Sequence, residues 1–342
     1  MPSTFLPTRL ARTILYGACT WQKALLLGYM SISALPAMGQ DLIAQRPVKI
    51  VVPFAPGGVS DAVARPIAQV MSELLSRPVV VENKPGAAGN IALEFVARSA
   101  PDGHTLLLGN VSTNAMNQTS YAGTLKIVPT RDLTAIGVIG ITPSVLVATK
   151  GLPTKNGIDF IQYARTNPGK INYWLPGIAS GPHFDMVQLE KTAGIKMVAV
   201  PYSGGAGPGL AALIGGQVDI GLINLGGALA QIRADKLRGL AVSTSQRLQE
   251  LPNVMTAEEA GMGSLTSSWQ ALFAPQGIPR PALMQLHQSL NEALNRTEVK
   301  ESLARAATLL TPSVSPQEAQ SFVEKETQKW ARIINDSGIR PE

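Results

Sequence analysis

The sequence predicts an α/β fold made of two similar halves, and three observations predict it. Short β-branched apolar runs alternate with longer amphipathic stretches, the pattern of strands covered by helices. That alternation occurs twice along the chain. Glycine clusters fall at strand-to-helix junctions in both halves. With 342 residues, 45% of them hydrophobic and only 15% charged, the chain has enough apolar material for two domains.

The elements follow in order. Residues 48–52 are a short apolar β-branched run and read as a buried strand. Gly57-Gly58 breaks it, and Ser60 or Asp61 can cap the helix that follows. Val63, Ile67, Val70, Met71 and Leu74 lie on one face of that helix, although Pro66 sits inside it. Residues 79–81 form the next strand, 88–99 a helix and 105–108 a third strand. The second half repeats the pattern with strands at 146–149, 171–174, 197–200, 218–222 and 238–242. Helices at 157–166, 183–192, 208–214 and 226–233 separate them. The chain from Arg280 on is helical, with Phe322, Val323 and Trp330 as anchors of the last amphipathic segment.

The N-terminus has the composition of an export signal. Arg9 and Arg12 open it, an apolar stretch follows, and Ala37-Met38-Gly39 supplies small residues for cleavage after Gly39. The apolar run at 24–32 is too short to span a bilayer. Cys19 is the single cysteine and leaves with the signal, so a disulfide or cysteine metal site is not expected. The net charge of +6 includes Arg9, Arg12 and Lys23. There is no block of consecutive Lys or Arg and aromatics are only 5%, which argues against nucleic acid.

Glycine marks the expected site. Gly57-Gly58, Gly86 to Gly89, Gly204 to Gly207 and Gly226-Gly227 lie at strand-to-helix junctions, where parallel α/β sheets bind ligands. Free N–H groups at helix N-termini there suit a carboxylate or phosphate. Enzyme signatures are missing: there is no phosphate-loop motif and no G-x-S-x-G elbow. His104, His183 and His287 are scattered and none has metal-ligand spacing, so neither metal nor cofactor is expected. His287 reads as a surface residue. His183, beside Ser180 and Gly181, reads either as a ligand contact or as a structural histidine.

The stretch from Pro47 to Asp61, which contains Pro53, Phe54, Pro56, Gly57 and Gly58, strongly resembles the opening of the Bug (TctC) family of extracytoplasmic receptors of tripartite tricarboxylate transporters. Similar matches run through Arg77 to Ile91, Ala100 to Gly109, Val200 to Gly204, Gly215 to Asp219, Lys236 to Val242, Leu272 to Pro275 and Lys329 to Gly338. The order and spread of these motifs over most of the chain make the resemblance specific.

The resemblance implies a periplasmic-binding-protein-like (type II) flytrap. Two doubly wound α/β domains would be joined by two crossing segments, near 148–150 and 264–269. The expected division is a signal peptide at 1–39, domain I at 40–148 plus 269–342, and domain II at 149–268. Ligand would sit in the cleft, on Phe54, Gly57, Gly58, Val59, Ser60 and Asp61 from the first loop, with Ala87 and Asn110 nearby. The opposing wall would use Ser180, Gly181 and His183, together with Tyr202, Gly205 and Asn224. That wall departs from the family pattern: Trp174, Leu175, Pro176 and Ile178 stand where small or hydroxyl residues are usual. An apolar wall suits a ligand with one carboxylate and an apolar or aromatic body.

The expected function is therefore a monomeric periplasmic protein that captures a small carboxylate for two membrane transporter subunits. The alternatives are a ligand-presenting sensor without its own permease, or an exported hydrolase using Ser180 and His183.

Overall fold

The structure is a computed structural model and describes residues 46–202 and 206–339. The expected signal peptide and Gly205 lie outside the described residues.

The first half contributes β1 (Val48–Val52), α1 (Val59–Leu74), β2 (Val79–Asn83), α2 (Asn90–Ala97), β3 (Thr105–Asn110), α3 (Asn117–Ser120), α4 (Pro129–Asp132) and β4 (Leu133–Thr142). Next come β5 (Ser144–Thr149), α5 (Gly157–Thr166), β6 (Asn172–Leu175), α6 (Gly181–Ala193), β7 (Val198–Pro201), α7 (Ala206–Ile214), β8 (Ile220–Asn224), α8 (Leu225–Arg233) and β9 (Leu237–Val242). The chain ends with β10 (Ser268–Pro275), α9 (Arg280–Asn295), α10 (Thr297–Arg305), β11 (Leu309–Leu310) and α11 (Pro316–Ser337).

These strands form two sheets, of six and five strands, in the orders β11-β4-β10-β3-β1-β2 and β7-β6-β8-β5-β9. Both sheets are mixed. Strands β1, β2 and β3 run parallel, as do β6, β7 and β8, whereas β4, β5 and β10 pair antiparallel with their neighbours. Periodicity finds the parallel units because each strand there alternates with a helix. It misses β4 because that strand leads into β5 with no helix between them.

The first crossing was expected near 148–150. Instead β5 pairs along its length with β8 and β9, so the chain changes sheets at Pro143. Proline has no N–H to give to a ladder, so β4 and β5 are interrupted there. The chain returns between β9 and β10. Ser243 links the two crossings: its Oγ accepts from the Ser144 N–H at 2.8 Å and lies 2.8 Å from Ser267 Oγ.

Helix α1 buries Val63, Ile67, Val70 and Met71 against the first sheet, as its apolar face predicts. Pro66 lies inside it and is only half-buried, so the carbonyl four residues earlier has lost its helical donor. Helix α11 is capped by Ser315, whose side chain accepts from the Glu318 N–H, and ends at the left-handed Gly338. Val323 and Trp330 anchor it in the core, while Phe322 stands edge-on to Trp269 at 5.4 Å. Phe184 of α6 joins the same core, edge-on to Trp330 at 6.3 Å, so a helix of the second half packs into the first. His287 is not a surface residue: it is buried, with Nδ1 2.7 Å from the Ile136 carbonyl oxygen.

Candidate functional site

A cavity of about 400 Å³ opens where the carboxyl ends of the parallel strands of both sheets meet. The first half lines it with Phe54, Gly58, Val59 and Ser60 at the start of α1, and with Asn110, Val111 and Ser112 after β3. The second half supplies Ser144, Gly181, Pro182, Asp185, Leu222 and Asn224. Thr266 comes from the return crossing, Ser268 and Gln270 from the start of β10, and Trp330 from α11.

Three helices start at this cavity, and none has a side-chain cap. The N-caps are Gly58 for α1, Ser180 for α6 and Asn224 for α8, so Ser60 and Asp61, expected as caps, lie inside the first turn of α1 instead. First-turn N–H groups have no intrahelical acceptor and carry partial positive charge. Pro182 removes one such donor from α6 and leaves those on either side. Among the described residues, lysine, arginine and histidine are absent from the lining. An anion here is therefore held by backbone dipoles and neutral side chains.

Asp61 braces the first loop and is outside the cavity lining. It is buried, and its carboxylate accepts from the Gly57 N–H at 3.0 Å, from Arg65 through Nε and Nη2 at 2.8 Å each, and from Asn83 Nδ2 at 2.9 Å. Asn83 Nδ2 also donates to the Phe54 carbonyl oxygen at 3.0 Å. The hydrogen bond from Arg65 is the main cause that holds the Asp61 carboxyl down at about 2. Gly57, in the left-handed region at φ 84°, gives its N–H to this clamp.

Several other expected site residues lie elsewhere. Ala87 is exposed and borders a separate hollow with Ile91, Phe95 and Arg98. His183 is buried outside the cavity lining, and its Nδ1 accepts from the Ala179 N–H at 3.2 Å. That bond braces Ala179, which has the left-handed φ of 58° that alanine seldom adopts. Burial lowers the His183 pKa, which favours the neutral ring this bond requires. Ser180 Oγ has no partner among the described residues, so a Ser180–His183 nucleophile pair is not formed. Tyr202 packs against the core of the second half. Thus Phe54, Gly58, Val59, Ser60, Asn110, Gly181 and Asn224 meet at the cavity, and Gly57, Asp61, Ala87, Ser180, His183 and Tyr202 do not line it.

The apolar wall is also absent. Trp174 and Leu175 are buried in the two cores of the second half, and Ile178 is exposed to solvent. Strand β6 carries Trp174 inward under α7, where Gly209 leaves room for the indole. An aromatic ligand therefore has no support from these residues.

Sequence reading missed Asp185, Thr266, Gln270 and Trp330. Asp185 is buried and accepts from Thr266 through the backbone N–H at 3.2 Å and the hydroxyl at 2.8 Å, both on Oδ1. Burial pushes its carboxyl up to about 7, against the opposing effects of Thr266 and Lys329. One signal was available: Asp185 stands between Phe184 and Met186, an acid in an otherwise apolar run. Among the described residues, no group of three or more His, Cys, Asp or Glu could hold a metal ion, and no helix is long and apolar enough to cross a membrane.

The model of the tripartite tricarboxylate transporter family receptor, TctC, matches residues 63–339. This chain belongs to that family. A Bordetella pertussis relative, protein BugT, is 33% identical over 304 residues, which cover 88% of this chain and 92% of the relative. The R. palustris protein Rpa4515, solved with adipate, is 33% identical with a TM-score of 0.76, covering 87% of this chain and 99% of its own. MatC from Rhodopseudomonas palustris, solved with bound malate, is 32% identical with a TM-score of 0.72, covering 85% and 99%. Members of this family and its solved neighbours are periplasmic solute-binding receptors, not enzymes.

Proposed function

We propose that this chain captures a small carboxylate in the cleft and delivers it to the two membrane subunits of a tripartite tricarboxylate-type transporter. It is exported by a cleaved N-terminal signal and works as a monomer. One lobe is built on the six-stranded sheet and the other on the five-stranded sheet, and the lobes close by hinge motion at Pro143 and at the Ser243–Ser267 return. The supporting observation is the convergence of uncapped helix N-termini from both lobes on one cavity whose described lining holds no cation. The adipate and malate bound by the two R. palustris relatives fit this ligand class.

The test is a thermal-shift and calorimetric panel of citrate, adipate, malate, amino acids and aromatic monocarboxylates, each beside its primary amide. A ligand at 100 times its Kd stabilises by about 2.7 kcal/mol, a rise of several degrees. Binding by a carboxylate and not by its amide is expected. Equal binding of both forms would refute recognition of the carboxylate.

A further inference from the structure

The first-turn N–H groups of α1 account for one end of a ligand. The floor of the same cavity has the opposite character. Among the described residues, Asp185 is the single ionisable side chain in the lining. Its Oδ1 takes both bonds from Thr266, and no lysine, arginine or histidine lies within ion-pair distance of it among the described residues. Lys329 acts on it only through space, because that ammonium is paired with Glu326 at 3.2 Å. His183, two residues away on the same helix, has its Nδ1 occupied by Ala179. In the same lining, Gln270 is 1% exposed, and its Oε1 has no hydrogen-bond donor among the described residues.

We propose that Asp185 and Gln270 select a ligand carrying a protonated amine as well as its carboxylate. The inference rests on the carboxylate reading above and narrows it to zwitterions. The carboxylate sits at the start of α1, and the ammonium sits on the floor, donating to Asp185 and to Gln270 Oε1. A buried carboxylate without a cation is costly, and a ligand ammonium supplies the missing counter-charge. A dicarboxylate would instead set its second carboxylate beside Asp185 with no cation in the described lining. It could bind only by keeping Asp185 protonated.

The two cases have opposite pH dependences. An amine ligand needs ionised Asp185, so its affinity is full above the carboxyl's pKa and falls about tenfold per pH unit well below it. A dicarboxylate that needs protonated Asp185 binds more tightly as pH falls. The groups that act on Asp185 are Thr266 from the return crossing, by hydrogen bonds, and Lys329 from α11, through space; Gln270 of β10 and Trp330 of α11 share the cavity lining with it.

The experiment uses the full chain expressed with its N-terminal segment and purified after export. Calorimetry would compare matched probes at pH 5.5 and 8.0: aspartate with succinate, glutamate with glutarate, and alanine with propionate. Tighter binding of the amine member of a pair, at least tenfold, weakening at pH 5.5, is expected. Asp185→Asn should remove that preference by 30-fold or more while the ligand-free Tm stays the same or rises. Gln270→Leu should weaken the same ligand about tenfold. Preference for the amine-free member, or affinity that increases at pH 5.5, would overturn the zwitterion and leave the carboxylate reading standing. No binding by any probe would overturn both. An Asp185→Asn protein that keeps its Tm and its amine preference would also refute the assignment.

Discussion

Replacing Asp61 by asparagine tests whether the first loop is held by a charged clamp. The side chain is buried and its carboxyl is held at about 2 instead of 3.8. At roughly 1.36 kcal/mol per pKa unit, that shift corresponds to about 2 kcal/mol of native stability. The Arg65 side chain is 54% exposed, so solvent screening reduces the expected loss to about 1–2 kcal/mol. The folded-state pKa is depressed, so this stability is present above the unfolded value and is lost as pH falls through the folded one. Urea unfolding at pH 7 should show the variant with a lower midpoint and an unchanged slope. Near pH 2 the two proteins should converge. The released Gly57–Ser60 loop should also weaken carboxylate binding several-fold. Equal midpoints at pH 7, or a gap that persists at pH 2, would refute the clamp.

Three further predictions follow from the geometry. Gly209→Ala would place a Cβ within the Trp174 indole, and overpacking of this kind costs about 1–3 kcal/mol; denaturation should show the loss with ligand preference unchanged. The His183 pKa is lowered by burial from 6.5, so stability from this group is full above 6.5 and is lost as pH falls from there toward the folded value. The Tm of His183→Gln should lack that part of the pH dependence, and an unchanged profile would exclude the residue as its source. Ser243→Ala removes the link between the two crossings, at about 1 kcal/mol for each lost bond, and calorimetry should show changed ligand affinity without a changed cavity lining.

Most of the fold was legible because strands alternate with helices in the parallel parts of both sheets. The antiparallel strands were harder. β4 and β5 are separated only by Pro143, and no helix marks the change of sheet. The site was half legible. Glycine clusters at strand-to-helix junctions pointed to Gly58, and the family resemblance to Val59, Ser60 and Gly181, because backbone donors leave a pattern in sequence. Trp174 misled because a large residue beside a glycine-rich loop can face the cleft or the core, and the choice depended on Gly209, 35 positions away. Gln270 and Trp330 reach the cavity through tertiary packing, which no local pattern records.

Pro143 has a kinetic consequence. A proline ring fixes φ, so at that residue the first crossing retains only ψ as a soft rotation. Its carbonyl oxygen is also engaged, by the Leu225 N–H at 2.8 Å. The proposed hinge closure would then follow a narrow arc of relative orientations rather than a broad swivel. Fewer orientations must be searched before the two walls meet on a captured molecule. Capture by such closure should then lose little configurational entropy.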